Sequence, residues 1–225
     1  TVNAKANDPK VATNLDTSSK VEQYSNKHKN YIPVQLLGIN DLHGGLERTG
    51  NAWIGNTEYQ NAGSAIRLAS YLNHAQNVFH HQNKNGHTFR VESGDMVGAS
   101  PSNSALLQDE TTMHILKAMN FKIGTLGNHG FDEGLSEFHR ILIGNKPTKK
   151  YNSAEMAYPH TNSGIKIVIS NVVNRSNDKT PFNFKPYIIK TVKAKNGNKV
   201  KIGFIGILTT TMPTLTTYKN YHPYK

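Results

Sequence analysis

The apolar residues of the chain fall into short runs that are typical of buried strands. The first run, residues 34–39, is nearly continuous and predicts a strand buried on both faces. Three further strands are predicted at residues 88–92, 123–126 and 165–169. An antiparallel pair is predicted at residues 186–192 and 200–207, around the turn Asn196-Gly197-Asn198.

Apolar residues at helical spacing predict three helices between these strands. The first begins at residues 61–64, and the second covers residues 104–119. The third follows Asp132, with Leu135, Phe138 and Leu142 on one face and Gly144 as its stop. Asp132 lies near the start of that helix, where a carboxylate also serves as a cap.

Several polar segments interrupt this pattern. Residues 1–30 hold scarcely any large apolar residue and predict a tail or linker. Residues 51–60, which carry the only tryptophan, and residues 146–162 predict excursions from the fold, and residues 209–225 predict an irregular end. The histidines at 74, 80, 81 and 87 lie in a segment of loop composition, and we interpret them as solvated side chains.

Polar side chains follow the first three predicted strands at the point where each strand ends. They are Asp41 and His43, then Asp95, then Asn128, His129 and Asp132. Open α/β sheets bind ligands outside the carboxyl ends of their strands. Carboxylate, amide and imidazole groups gathered there predict a metal site. Its oxygen and nitrogen ligands suit Mn²⁺, Zn²⁺, Mg²⁺ or Fe, and the sequence does not choose among them.

Three motifs carry a resemblance to a known family. Residues 40–44 read Asn-Asp-Leu-His-Gly, residues 94–101 begin with Gly-Asp, and residues 124–134 contain Gly-Asn-His and a nearby Asp. In this order they resemble the bacterial 5′-nucleotidase family of calcineurin-like metallophosphoesterases, over residues 34–212. The resemblance implies a four-layer α/β/β/α sandwich, here incomplete at its C-terminus, and nucleotide substrates.

The resemblance also implies a role for each of the six polar residues. Asp41 and His43 would hold one of two divalent cations, Asp95 would bridge both, and Asn128 would help to hold the second. His129 would stabilise charge on the leaving oxygen, and Asp132 would accept a hydrogen bond from it. The expected reaction is hydrolysis of nucleoside 5′-monophosphates by a metal-activated water.

The chain departs from the family pattern in two respects. The later histidine ligands, among them a Gly-His-x-His motif, and a C-terminal domain that stacks the nucleobase have no counterpart in the sequence. We therefore expect residues 31–225 to form the N-terminal portion of the catalytic domain, with weak metal affinity and little turnover without the missing half. Gly130 replaces the family's acidic residue, for which we expect a tuning effect.

Composition bounds the remaining function classes. The chain has 225 residues, a formal net charge of +11 and no cysteine, which excludes thiolate metal sites and a cysteine nucleophile. No apolar run approaches the ~20 residues that span a bilayer, so we predict no membrane span. The resemblance implies an exported or cell-wall protein of a Gram-positive bacterium, and we expect its signal to have been removed. Other phosphate mono- or diesters and a non-catalytic basic binding module remain alternatives; we find no nucleic-acid readout motif.

Overall fold

The computed structural model describes residues 31–47, 49–194 and 196–225, so the predicted tail at residues 1–30 lies outside the described part. The strands are β1 (Val34–Ile39), β2 (Thr49–Ile54), β3 (Thr57–Gly63), β4 (His87–Glu92), β5 (Ile123–Gly124), β6 (Lys166–Ile167), β7 (Tyr187–Lys193) and β8 (Lys199–Ile205). The α-helices are α1 (Ala65–Gln82), α2 (Ser102–Ala105), α3 (Glu110–Ala118), α4 (Leu135–Ile143), α5 (Ser153–Ala157) and α6 (Tyr218–Tyr221). Short 3₁₀ helices lie at Asn128–Phe131, Pro181–Asn183 and Met212–Thr214.

The centre of the fold is a parallel sheet with the strand order β1-β4-β5-β6. Because its strands run in one direction, their carboxyl ends meet at a single edge, as the sequence predicts. The core beside this sheet contains Leu116, Phe121, Phe131 and Ile169, all with no exposed surface. The predicted α/β class is confirmed.

The first strand differs from its prediction in one respect. β1 lies at the edge of the parallel sheet, and Leu36 in its middle is 57% exposed. A strand with a partner on one side only has fewer neighbours to cover its faces. The expectation of burial on both faces is therefore wrong, although the bounds of the strand are those predicted.

The polar excursion at residues 51–60 is part of a hairpin. β2 and β3 pair in antiparallel register around a turn at residues 55 and 56, and Trp53 is 67% exposed. Helix α1 then runs on to Gln82, so the histidines at 74, 80 and 81 lie on a helix rather than in a loop. The many polar side chains of that segment are typical of a loop, which explains the wrong prediction. Burial of Leu72 and Phe79 stabilises the segment as a helix.

The helix predicted at residues 104–119 is broken into α2 and α3. Gln108 and Asp109 between them both have positive φ, at 48° and 62°. Left-handed backbone conformation cannot continue an α-helix. The break places the Asp109 carboxylate next to the loop that follows β4, where it accepts a hydrogen bond from the backbone of Gly98.

Two predictions for the second half are confirmed. Leu135, Phe138 and Leu142 are buried on one face of α4, and Gly144 ends the helix with φ of 72°. β7 and β8 pair in antiparallel register, and Phe204 of β8 packs against Phe89 of β4 at 5.3 Å between ring centroids.

The last segment is more ordered than expected. Val173 and Lys225 exchange two backbone hydrogen bonds, and the Asn220 side chain donates to the carbonyl of Asp132 at 2.6 Å. Residues 212–225 therefore fold back toward the loop that carries the candidate site. Over residues 31–225, apart from the two gaps, no helix combines the length and apolarity that crossing a membrane requires.

Candidate metal centre

The loops after β1 and β4 are joined by backbone hydrogen bonds. Asp41 donates to the carbonyl of Gly94, and His43 donates to the carbonyl of Asp95, each at 3.0 Å. Asp41, His43 and Asp95 all have left-handed φ values, of 53°, 46° and 57°. Such conformations are unfavourable outside glycine and persist where the surroundings over-determine them. Three of the predicted ligands share this conformation, which supports the hypothesis of a functional site at this edge.

Three of the predicted residues converge. His43, Asp95 and His129 are half-buried, and each offers a ligand atom within 4.8 Å of the others. The backbone N–H of His129 donates to Oδ1 of Asp95 at 2.9 Å. The two imidazole rings meet edge to face, with centroids 4.8 Å apart. Side chains from three separate strand ends therefore lie close together at one site.

Hydrogen bonds determine which nitrogen of each ring is available. Nδ1 of His43 lies 2.9 Å from the carbonyl oxygen of Gly98, and Nδ1 of His129 lies 2.7 Å from Oδ2 of Asp132. A carbonyl or carboxylate oxygen can only accept, so Nδ1 must carry the proton in both rings. Nε2 of each histidine is therefore left to bind a metal or to act on a substrate.

The predicted pairing of His129 with Asp132 is thus present. The Asp132 carboxylate is directed to His129 and does not cap α4, whose N-cap residue is Gly134 without a side-chain bond. Asp41, at the rim, places Oδ1 3.5 Å from Nε2 of His43. Asn128 opens the 3₁₀ helix that carries His129, and its place in the ligand set stays a prediction.

Close packing maintains the position of Asp95. A Cβ at Gly127 would lie 1.9 Å from Oδ1 of Asp95, so only glycine allows this approach. A Cβ at Gly98 would lie 2.8 Å from Oδ2 of Asp132, and Gly98 itself has φ of 86°. These two glycines allow the loops to close around the carboxylates.

Glu92 is a residue that sequence reasoning missed. It ends β4 beneath the site, is 2% exposed, and accepts from the N–H of Gly94 through Oε2. Burial raises the pKa of this carboxyl to about 8, and the charges of Asp95 and Asp41 act in the same direction. A neutral Glu92 adds no further negative charge beneath the ligands. Its place inside an apolar strand was the signal available in the sequence.

Two openings flank the centre. A cavity of about 150 Å³ lies beside His129 and Asp132 and is also lined by Gly130. A Cβ at Gly130 would make only ordinary contacts, 3.7 Å from Phe138. An open groove of about 720 Å³ lies beside Asp41 and His43. The centre is therefore accessible to a substrate from outside the sheet.

The donor set suits a divalent metal. Imidazole nitrogens and a carboxylate are ligands for Zn²⁺, Mn²⁺ and Fe. Oδ1 of Asp95 is occupied by the N–H of His129, which leaves Oδ2 for a cation. The residues present are therefore compatible with a metal, and the identity and number of ions are left to experiment.

The chain is similar to several curated bacterial proteins. It is 45% identical to cell wall protein Lmo0130 of Listeria monocytogenes over 196 residues, which cover 86% of the chain and 24% of the relative. It is 37% identical to endonuclease YhcR of Bacillus subtilis (51% of the chain, 9% of the relative). It is 30% identical to the 2′,3′-cyclic-nucleotide 2′-phosphodiesterase/3′-nucleotidase of Salmonella typhimurium (64% and 20%). The chain thus spans about a quarter or less of these relatives, and no protein-family model matches it.

Solved structures share the fold. The calcineurin-like phosphoesterase YfkN of Bacillus subtilis superposes with a TM-score of 0.54 at 24% identity, over 84% of the chain and 52% of YfkN. The NAD nucleotidase NadN of Haemophilus influenzae superposes with a TM-score of 0.56 at 23% identity, over 80% of the chain and 27% of NadN. The α/β sandwich predicted from the motifs is the fold of these metallophosphoesterases. The curated relatives and solved structures that the chain resembles include bacterial nucleotide phosphoesterases and calcineurin-like phosphoesterases, and the chain matches only the N-terminal part of these proteins.

Proposed function

We propose that this protein hydrolyses nucleoside 5′-monophosphates to nucleoside and phosphate, with His43, Asp95, Asp41 and Asn128 as metal ligands. The observation that carries the proposal is the convergence of His43, Asp95 and His129 within 4.8 Å at the carboxyl edge of the sheet. Phosphate monoesters hydrolyse extremely slowly without help, because an anionic nucleophile must approach an anionic phosphate. A bound pair of divalent cations neutralises the phosphate and lowers the pKa of a water molecule.

The side chains of this protein would perform the remaining tasks. Asp95 would offer Oδ2 to a bound metal, while the His129 N–H holds its other oxygen. His129 would use Nε2 to stabilise negative charge on the departing nucleoside oxygen. Asp132 keeps the proton on Nδ1 through the 2.7 Å contact and so maintains this orientation. The open groove beside Asp41 and His43 gives the nucleotide a path to these groups.

The proposal is tested with the full-length protein and with the 225-residue chain. Each is stripped of metal, reloaded with Mn²⁺ or Zn²⁺, and assayed for phosphate release from AMP, 3′-AMP, 2′,3′-cyclic AMP and a sugar phosphate. We expect metal-dependent release, fastest from AMP, that Asp95→Asn nearly abolishes in the full-length protein. The exposed Asp178→Asn serves as the matched control and should retain activity. Metal-independent turnover, or an active Asp95→Asn variant, would contradict the proposal.

Phosphodiester hydrolysis in nucleic acid is a second candidate. The formal net charge of +11 attracts polyanions, and the relative YhcR is called an endonuclease. Binding to nucleic acid falls steeply as salt rises, because condensed counterions are released. Cleavage of single-stranded DNA that weakens sharply between 50 and 200 mM salt, with no release from AMP, would favour this candidate.

We place this activity outside the cell or at the cell wall, where the nucleotide would be the partner. The support is the relative Lmo0130, whose name is that of a cell wall protein. Fractionation of the source cells checks the location: antibody signal in the wall or medium agrees with it, and signal confined to the cytoplasm contradicts it.

A further inference from the structure

The loop after β4 lies beside both histidines of the candidate centre. We call residues 96–101 the site loop. Its Gly98 carbonyl lies 2.9 Å from Nδ1 of His43. On the other side, a Cβ at Gly98 would lie 2.7 Å from Cβ of His129. The position of one residue, Gly98, therefore bears on both histidines.

Gly98 has no side chain to restrict its backbone to this conformation, so other residues must hold it in place. Glycine has the widest choice of backbone conformations, and here φ is 86°. The N–H of Gly98 donates to Oδ2 of Asp109 at 3.2 Å. The carboxylate thus holds Gly98 on its amino side, and His43 binds the carbonyl of the same residue.

Asp109 is itself firmly placed. Its Oδ1 accepts from the hydroxyl of Ser104 at 2.7 Å, and Ser104 is fully buried. The Ser104 hydroxyl also contacts Oγ1 of Thr112 at 2.7 Å and accepts from Oγ1 of Thr111 at 3.1 Å. Asp109 adopts φ of 62° at the break between α2 and α3. An unfavourable backbone at this break places a carboxylate under the site loop.

We propose that Asp109 is a positioning residue that fixes the tautomer and direction of His43 through Gly98. Since the Gly98 carbonyl accepts the Nδ1 proton, Nε2 keeps its lone pair for the metal. A group that hydrogen-bonds a metal ligand directly, as the Gly98 carbonyl does, typically changes metal affinity about 10–100-fold when it is lost. Asp109 lies one hydrogen bond further from His43, so we expect the lower end of this range, about 10-fold. The inference rests on the proposed function for its consequence in catalysis, but the His43 tautomer depends on the fold alone.

The first test compares Asp109→Ala with Asp109→Asn in the 225-residue chain. An asparagine Oδ1 can still accept from Gly98, and its amide can donate to Ser104, so this variant should retain the arrangement. Imidazole ¹⁵N–¹H correlation spectra of the metal-free protein report the His43 tautomer. We expect protonated Nδ1 in the parent and in Asp109→Asn, and a mixture of tautomers in Asp109→Ala. An unchanged single tautomer in Asp109→Ala would overturn the proposal.

The second test measures metal affinity by calorimetric titration with Mn²⁺ and Zn²⁺. We expect about 10-fold weaker binding for Asp109→Ala, near-parental binding for Asp109→Asn, and no change for the exposed control Asp178→Ala. If Asp109→Ala does not fold, as judged by circular dichroism, Ser104→Ala replaces it. This variant removes one of the two bonds of Asp109, and parental affinity with a single His43 tautomer would count against the proposal.

These readouts are independent of nucleotide turnover. A chain that changes tautomer and metal affinity as expected but releases no phosphate from any nucleotide would contradict the proposed function and support the role of Asp109. If the parent releases phosphate from nucleotides but Asp109→Ala keeps the parental His43 tautomer and metal affinity, the proposed function is supported and the role of Asp109 is contradicted.

Discussion

Arg140 on α4 is the cation of a buried charge cluster. Its guanidinium donates to Glu110, to Oε1 of Glu155 at 3.1 Å and to Oε1 of Glu137 at 2.7 Å. The Glu110 and Glu155 side chains are 2% and 0% exposed, and His160 contacts Glu110 at 2.8 Å. Replacement of Arg140 by methionine keeps much of the volume and removes the charge.

The loss of stability in Arg140→Met should be large, because the carboxylates of Glu110 and Glu155 remain buried in the core without their cation. Removing one partner of a buried ion pair costs about 3–5 kcal/mol in free energy of unfolding. For a chain of this size, each kcal/mol lowers the melting temperature by about 2–4 °C. We therefore expect Arg140→Met to melt roughly 6–20 °C below the parent at pH 7.5.

The pH dependence gives a sharper test. Burial raises the pKa of Glu155 to about 7, and Arg140 acts against this rise. The folded state therefore binds more protons than the unfolded state between about pH 4.5 and 7, so Glu155 lowers stability as pH rises through this window. Without Arg140 the Glu155 carboxyl favours the protonated form further. The difference between variant and parent should thus shrink at pH 5.5.

Urea and thermal denaturation of the metal-free chain, followed by circular dichroism at pH 5.5 and 7.5, measure these differences. Arg67→Met, at an exposed position of α1, is the matched control and should change stability by no more than about 0.5 kcal/mol. A loss below about 1 kcal/mol for Arg140→Met, or an equal loss at both pH values, would refute this account of the cluster.

Three further predictions concern the candidate centre and the charge cluster. Asp132→Asn should lower kcat by about 10²–10⁴-fold, because the His129 tautomer is no longer fixed, with metal affinity unchanged in calorimetric titration; a parental kcat would contradict it. Gly127→Ala should displace Asp95, lower the free energy of unfolding by about 1–3 kcal/mol in thermal denaturation, and weaken metal binding. Parental stability and parental metal affinity would show that the loops accommodate the added methyl group. Glu155→Gln should flatten the fall in stability between pH 4.5 and 7, and an unchanged slope would assign it to another group.

The motifs predicted several of the side chains that meet at one edge of the sheet. Each predicted ligand follows an apolar strand, and parallel strands end at one edge, so the convergence of His43, Asp95 and His129 follows from local pattern and topology together. The 2.7 Å contact between His129 and Asp132 follows from their spacing, since residues three apart in a helical turn are neighbours. Secondary structure at α4 and in the β7–β8 pair was predictable for the same local reasons.

Other features depended on contacts that the sequence pattern does not report. Residues 104–119 read as one helix, yet the chain breaks at Gln108 and Asp109, because a buried hydroxyl and a backbone N–H bind the Asp109 carboxylate. Leu36 is apolar and exposed, because β1 lies at the edge of the described sheet. Neither outcome has a local signal.

The sequence by itself determined which groups stand at the ends of the strands, since the apolar runs and the motifs that follow them are local. Only the tertiary structure decided which nitrogen of His43 is available, because that depends on the Gly98 carbonyl, 55 residues from His43. Hydrogen bonds between residues far apart in the chain are settled by packing. For this reason the choice of chemical groups was predictable and the orientation of His43 was not.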